Sequence, residues 1–300
     1  MAHKLTRRQV DLLRHFATYR VLATDQAAVL QDVGAQAARK RLDKLMDLGL
    51  IEARSEGYGR ARGRPNRIYY LTEQGIAHLK SLGLAPGQDS YDPRCPGGVT
   101  AANHQLLLNW CLLHLLHLER VHSQFKVGFV NHPHSLEMEE PSVPVEAPSD
   151  RSPVTIPDAI FSITCEEQSK TLLFFLEVDM ATETVASPSR TNRDFRIKIR
   201  RYQEYFRSAA YTRYGDLWHC ELRGFRLLVV TNSRARLASL SGLVREMRPS
   251  DFIWLTDQGS LFARGISAPV WVRGGHQDSL LQSIIGPTFA RVAPLLPVRL

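Results

Sequence analysis

The sequence predicts an α/β protein, α+β overall, in two parts: an N-terminal winged helix-turn-helix and a C-terminal mixed sheet flanked by helices. Three observations predict it. Apolar residues recur at helical spacing in three successive runs ahead of Gly49. A Gly- and Arg-rich segment then separates two strand-like pieces. Beyond Val154, apolar strand-like runs alternate with amphipathic helical ones. At 300 residues and 44% apolar content the chain is long and apolar enough for two ordinary cores.

The first helix carries Val10, Leu12, Leu13 and Phe16, and the second Ala27, Val29 and Leu30. The third runs through Ala35–Ala38, Leu42, Leu45 and Met46 and stops at Gly49, which suits a left-handed C-terminal cap. Strand-like pieces follow at Leu50–Arg54 and Arg67–Leu71, with Tyr69, Tyr70 and Leu71 read as wing-strand core. Between them lies a basic wing, residues 55–66. Thr72 is placed to cap a fourth helix over Ile76–Leu82. Such an array presents its third helix to the major groove and its wing to the flanking backbone or minor groove.

Charge agrees. Residues 1–80 hold 15 Lys+Arg against 8 Asp+Glu, a surplus of seven, while the whole chain has a surplus of eight. Nearly all the excess therefore sits in the first quarter, as a phosphate-binding surface requires. The candidate DNA contacts are Gln36, Arg39, Lys40 and Lys44 on the third helix and Arg60, Arg62, Arg64 and Arg67 on the wing. The alternative is a solvated basic face on a protein-binding winged helix.

The domain reading is 1–82 for the winged helix, 83–100 for a Gly/Pro-rich linker and 101–300 for the α/β part. In the last part a strong helix spans Ala101–Val121, and strands are expected at Phe125–Val130, Val154–Ile163 and Thr171–Val178. Residues 132–155, rich in Pro, Glu and Ser, read as a loop or a poor strand near Ser135–Met138. A helix over Arg190–Ala210 precedes a buried strand at Phe225–Thr231, a helix at Arg234–Met247 and a strand at Phe252–Leu255. Val270–Val272 and Leu280–Ile285 resist placement.

Carboxylates interrupt these apolar strands. Asp158 stands in Ile156-Pro157-Asp158-Ala159, and Glu177 and Asp179 close Leu176-Glu177-Val178-Asp179 on one face by alternation. Buried carboxylates need a metal, a proton or a basic partner. Asp158, Glu177 and Asp179 are therefore candidate oxygen ligands for Mg²⁺. Lys198 and Tyr202 lie one helical turn apart on one helix face, among Arg193, Arg196, Arg200 and Arg201. The alternative is that these bases pair with the carboxylates in an inert scaffold.

The element order and Pro157-Asp158 resemble the restriction-endonuclease-like, PD-(D/E)XK, superfamily. The full arrangement is more similar to the replication-relaxation family of plasmids and integrative elements. That family joins a winged helix to a segment like Ile156–Ala159, then one like Leu176–Asp179 with a nearby Thr182-Glu183, then a helix bearing Lys198 and Tyr202. The resemblance covers roughly residues 5–215. It implies a PD-(D/E)XK-like site with Asp158, Glu177 and Lys198 as catalytic residues if the site is active. One departure is Asp179, which stands where an active nuclease of the superfamily usually has lysine. His104 is a site neighbour by the same resemblance, and by itself a structural hydrogen-bonding group.

Other classes find little support. Cys95, Cys111, Cys165 and Cys220 have no paired spacing, which speaks for a reducing compartment and against a zinc ribbon. His114 and His117 share a helix face but sit among leucines. No apolar leader opens the sequence, and Leu106–Leu118 is too short and polar to span a bilayer, so a cytoplasmic protein without membrane contact is expected. No Walker A motif is present, so no ATP-driven step is expected. Three functions stay open. One is a sequence-specific duplex-DNA-binding regulator of transcription, replication or transfer, as a homodimer if its operator is two-fold symmetric. Another is a Mg²⁺-dependent endonuclease or nickase. The third is an adaptor recruiting replication or transfer proteins.

Overall fold

Thr6 starts the first helix by exchanging hydrogen bonds with Gln9. Its hydroxyl accepts from the Gln9 N–H at 3.4 Å, and Gln9 Oε1 accepts from the Thr6 N–H at 2.8 Å. The computed structural model describes residues 5–54, 67–84, 98–130, 136, 155–181, 185 and 194–289. Contacts divide the chain into two units, with the division inside one long helix, between His114 and Leu115.

In the first unit, α1 (Arg7–Tyr19) buries Leu12, Leu13 and Phe16 completely. A short strand β1 (Val21–Ala23) follows that the sequence did not predict, because three residues are too few to display an alternation. Next come α2 (Thr24–Leu30), α3 (Ala35–Asp47), β2 (Ile51–Arg54), β3 (Ile68–Leu71) and α4 (Glu73–Ser81). The three strands pair antiparallel in the order β1-β3-β2. Gly49, just past α3, has φ +67°, a left-handed conformation that glycine adopts without a Cβ clash. Thr72 caps α4, its hydroxyl accepting from the Gly75 N–H at 3.0 Å and donating to the Gly49 carbonyl at 2.6 Å. Tyr69 and Leu71 are buried as expected, whereas Tyr70 is only half-buried. The Tyr70 hydroxyl accepts from Arg54 at 3.2 Å and donates to Glu52 at 3.0 Å, so strand alternation turns this ring out of the core.

The helix α5 (Gly98–Val121) opens where the sequence reading began the second domain, yet as far as His114 it belongs to the winged-helix unit. Polar residues in its apolar run explain this. Asn109, fully buried, donates to the carbonyls of Tyr19 at 3.1 Å and Val21 at 2.6 Å. Gln26, also fully buried, donates to the Leu106 carbonyl at 2.8 Å. Ala102 and Leu106 share a small core with Val21 and Ile68. The backbone carbonyls left over where α1 gives way to β1 thus find donors on α5.

The second unit is built on a six-stranded sheet of order β4-β5-β6-β7-β8-β9. An antiparallel meander comes first: β4 (Phe125–Phe129), β5 (Ala159–Cys165) and β6 (Lys170–Asp179). Then α6 (Phe195–Ser208), a 3₁₀ turn (Ala210–Tyr214) and α7 (Gly215–Trp218) lead to β7 (Phe225–Thr231), parallel to β6. Next, α8 (Arg234–Glu246) leads to β8 (Ile253–Asp257), parallel to β7, and α9 (Gln258–Arg264) precedes the antiparallel edge strand β9 (Val272–Arg273). This is the mixed sheet that the sequence predicts. The strand expected from Val154 begins only at Ala159, since Pro157 has no N–H for the ladder. Leu280–Ile285 forms no strand beyond a single bridge from Gln282 to Trp271. The expected linker falls largely outside the described residues, as does the segment 137–154.

One face of the sheet carries the main core. Leu173 and Phe175 of β6 and Leu227 and Val229 of β7 pack with Phe195, Ile199 and Tyr202 of α6 and with Leu240 and Val244 of α8. Phe175 sits at the centre of this core, with ring centroids 4.6 Å from Phe225 and 5.8 Å from Tyr205. Each such aromatic pair adds about 0.5–1.5 kcal/mol beyond burial, enough to fix α6 on β6 in one register. No helix among the described residues is long and apolar enough to cross a membrane.

Candidate functional site

The helix α3 separates its residues by burial. Ala38, Leu42 and Leu45 are fully buried, and Gln36, Arg39, Lys40 and Lys44 are exposed. Gln36, Lys40 and Lys44 follow at intervals of four and so share a helix face, with Arg39 flanking it. Arg41 faces inward, donating to Gln31 Oε1 at 2.7 Å and tying α3 to the end of α2. Of the wing residues, Arg67 is exposed at the start of β3, and Arg60, Arg62 and Arg64 lie outside the described residues.

The carboxylates lie on the second unit's sheet. Glu177 is on the α6-covered face of β6 and is 2% exposed. Helical spacing on α6 brings two donors to it: Lys198 Nζ lies 3.1 Å from Oε2, and the Tyr202 hydroxyl donates to Oε1 at 2.5 Å. Asp158 is the third member. Its Oδ2 accepts from the Val178 N–H at 2.7 Å, and its own N–H donates to the Leu176 carbonyl at 3.1 Å. Asp158 therefore carries the β6 pairing one residue past Ala159, up to the proline that ends the ladder. Burial raises the Glu177 pKa from 4.5 to about 7; Lys198 pulls it down, Asp158 pushes it up, and the hydrogen bonds from Tyr202 and Lys198 lower it. Burial and then the Glu177 carboxylate hold the Tyr202 pKa well above its ordinary value, so its hydroxyl stays a donor. Of the basic residues nearby in sequence, Arg201 donates to Thr155 Oγ1 at 3.0 Å, Arg200 is exposed, and Arg193 lies outside the described residues with Thr182 and Glu183.

Asp179 shares Glu177's face, as alternation requires, but has a different partner. Arg236 of α8 grips it in a two-pronged bond, Nε to Oδ2 at 2.5 Å and Nη2 to Oδ1 at 3.2 Å, and the Ala181 N–H donates to Oδ1 at 3.1 Å. Both side chains are nearly buried, with exposures of 10% and 3%. The sequence reading missed Arg236, for nothing local links residues 57 apart. The only hint is its position in the first turn of a helix that follows a buried parallel strand.

A divalent cation asks for carboxylate oxygens that can turn toward it. Both oxygens of Glu177 hold protein donors, one oxygen of Asp158 holds a backbone amide, and Asp179 is clamped by Arg236. Among the described residues no group of three or more His, Cys, Asp or Glu side chains could hold a metal ion. The residues as arranged do not fit Mg²⁺, and Asp158, Glu177 and Asp179 are not brought together as three ligands. Asp158, Glu177 and Lys198 do converge. His114 is buried and His117 half-buried on α5.

A family model described as Replication-relaxation matches residues 13–217. No curated protein matches the chain. Among solved structures, the chain is similar to a MarR family transcriptional regulator from Silicibacter pomeroyi, at 23% identity over 26% of this chain and 49% of that one, with a TM-score of 0.22. It is also similar to a zinc-responsive MarR family member, Lactococcus lactis ZitR, at 25% identity over 28% of this chain and 54% of that one, with a TM-score of 0.23. The chain spans about half the length of each. At such TM-scores neither likeness carries an argument.

Proposed function

The chain belongs to the replication-relaxation family, and from that premise we propose that it is a sequence-specific double-stranded DNA-binding regulator of a mobile element, plasmid or integrative, acting on transcription, replication or transfer. The exposed face of α3 carries this reading: Gln36, Arg39, Lys40 and Lys44 project outward while Ala38, Leu42 and Leu45 anchor the helix. The major groove admits an α-helix, and Gln, Arg and Lys are the side chains that read adenine and guanine edges there. Arg60, Arg62, Arg64 and Arg67 of the wing contact phosphates, so residues 1–82 act as the DNA-binding part. The 101–300 part provides a scaffold for self-association or for replication and transfer proteins.

Selection from a random duplex library, followed by gel shifts on the enriched sequence, tests the reading. Enrichment of a defined motif supports it; uniform recovery of all sequences removes sequence specificity. Replacing Arg62 and Arg64 by Ala lowers affinity for every duplex and flattens its salt dependence, and an unchanged salt slope takes the wing off the phosphates.

A second reading, a Mg²⁺-dependent endonuclease or nickase, draws support from the approach of Lys198 and Asp158 to Glu177. The donors already seated on each carboxylate oppose it. Metal-dependent nicking of supercoiled plasmid that vanishes in Glu177→Ala would establish it; binding without nicking, equal in both proteins, leaves the regulator.

A further inference from the structure

A groove of the second unit lies away from Glu177, at the opposite end of β6. It encloses about 870 Å³, within the range of small-molecule sites, and Lys170, Arg223, Arg226 and Arg273 line it. Glu221 and Asp251 are the acids on its wall. We propose that this groove binds a phosphate ester, with Arg226 and Arg273 gripping the phosphate and Lys170 supporting it.

Arg226 is the anchor. Its guanidinium lies 4.4 Å from the Trp254 ring centroid and 5.8 Å from that of Phe174, and it donates to the Ile284 carbonyl at 3.2 Å. These contacts hold the planar group in one orientation before any ligand arrives. Among the described residues no carboxylate pairs with Arg226. Burial first, and then the Arg273 cation, draw the Arg226 pKa down. Arg226, which no carboxylate among the described residues neutralises, and Arg273, whose pairing with Asp251 is loose, line one groove that a phosphate held by two parallel hydrogen bonds satisfies.

The acids do not neutralise the groove. Arg273 Nε donates to the Asp251 carbonyl at 3.3 Å and lies 3.7 Å from its carboxylate, and Arg223 meets Glu221 at 3.4 Å, with all four side chains more than half exposed. Exposed pairs of this kind contribute little and exchange readily. Lys170 makes no ion pair among the described residues. Phe206 and Phe252 add apolar wall beside the cations, which suits an organic ester over a bare ion.

The test is calorimetric titration of the full chain with inorganic phosphate, thymidine monophosphate and the dinucleotide TpT. Saturable binding of at least one probe is expected, weakened roughly three- to tenfold by Arg273→Gln and by Lys170→Gln without a change in melting temperature. Arg226→Lys, which keeps the charge but loses the fork, weakens it as well. Binding must persist when Arg39 and Lys40 of α3 are replaced by Ala, which separates this groove from the winged helix. Preference for TpT identifies a nucleic-acid strand as the source of the phosphate, and preference for the monoester identifies a small phosphorylated molecule. No saturable binding of any probe up to about 10 mM, or binding undiminished in both Arg273→Gln and Lys170→Gln, overturns the proposal.

Discussion

The Tyr202 hydroxyl donates to Glu177 Oε1 at 2.5 Å, one helical turn along α6 from the Lys198 ammonium, 3.1 Å from Oε2. The pair of donors spans both oxygens of a carboxylate that is almost wholly removed from water. The aromatic packing of Phe175 against Tyr202 and Tyr205 seats α6 at the register this requires. Packing therefore positions the chemistry, and burial decides its protonation: the loss of water around Glu177 outweighs the attraction of Lys198.

A pH-dependent stability follows. The folded protein binds the Glu177 proton more tightly than the unfolded chain does. The stabilisation is fully present below pH 4.5 and is lost as pH rises through about 7. Glu177→Gln removes this titration. Urea unfolding at pH 5 and pH 8 should show the native protein losing stability relative to Glu177→Gln, by up to ~3 kcal/mol. A difference that is flat across this interval would mean that Lys198 keeps the carboxylate ionised throughout.

On α3, Arg39→Ala with Lys40→Ala removes two exposed cations without touching the buried Ala38, Leu42 or Leu45. The melting temperature should stay put and duplex affinity should fall at least tenfold, about 1.4 kcal/mol. Altered sequence preference in a repeated library selection marks a base contact; a uniform loss marks phosphate contacts alone. Unchanged affinity and preference take this helix out of recognition.

Much of this was legible in local pattern. Helical spacing located α3 and the shared face of Lys198 and Tyr202, and strand alternation located Glu177 and Asp179 on one face. Partnerships across long sequence distances were not legible. Arg236 reaches Asp179 because α8 starts just past the end of β7, the parallel neighbour of β6, a placement that no window of sequence encodes. Asn109 is an intermediate case. A lone amide in an apolar helix announces that it needs partners, but only the fold names them as the carbonyls of Tyr19 and Val21. The short β1 and the two-residue β9 owe their existence to pairing with longer neighbours, so propensity alone is silent on them.

Gly75 lies where α4 passes the Leu50 backbone, just ahead of β2. A Cβ at this position would lie 2.1 Å from the Leu50 carbonyl oxygen, a backbone atom that cannot swing away. Gly75→Ala should cost about 1–3 kcal/mol by forcing α4 away from the Leu50 backbone, even though alanine favours helix. The urea midpoint reads this directly, and an unchanged or higher midpoint would show that α4 shifts freely.

The bond between Arg236 and Asp179 makes the sharpest distinction between scaffold and catalyst. Asp179→Ala removes the two-pronged acceptor of a nearly buried guanidinium and should destabilise the fold by about 3–5 kcal/mol. Combining it with Arg236→Met removes both charges and should restore much of that loss, because an apolar pair of similar volume costs little there. The double-mutant cycle therefore returns a large positive coupling if Asp179 serves the fold. A loss below about 1 kcal/mol for Asp179→Ala, with no recovery in the double variant, would place the pair in solvent and free the carboxylate for another role.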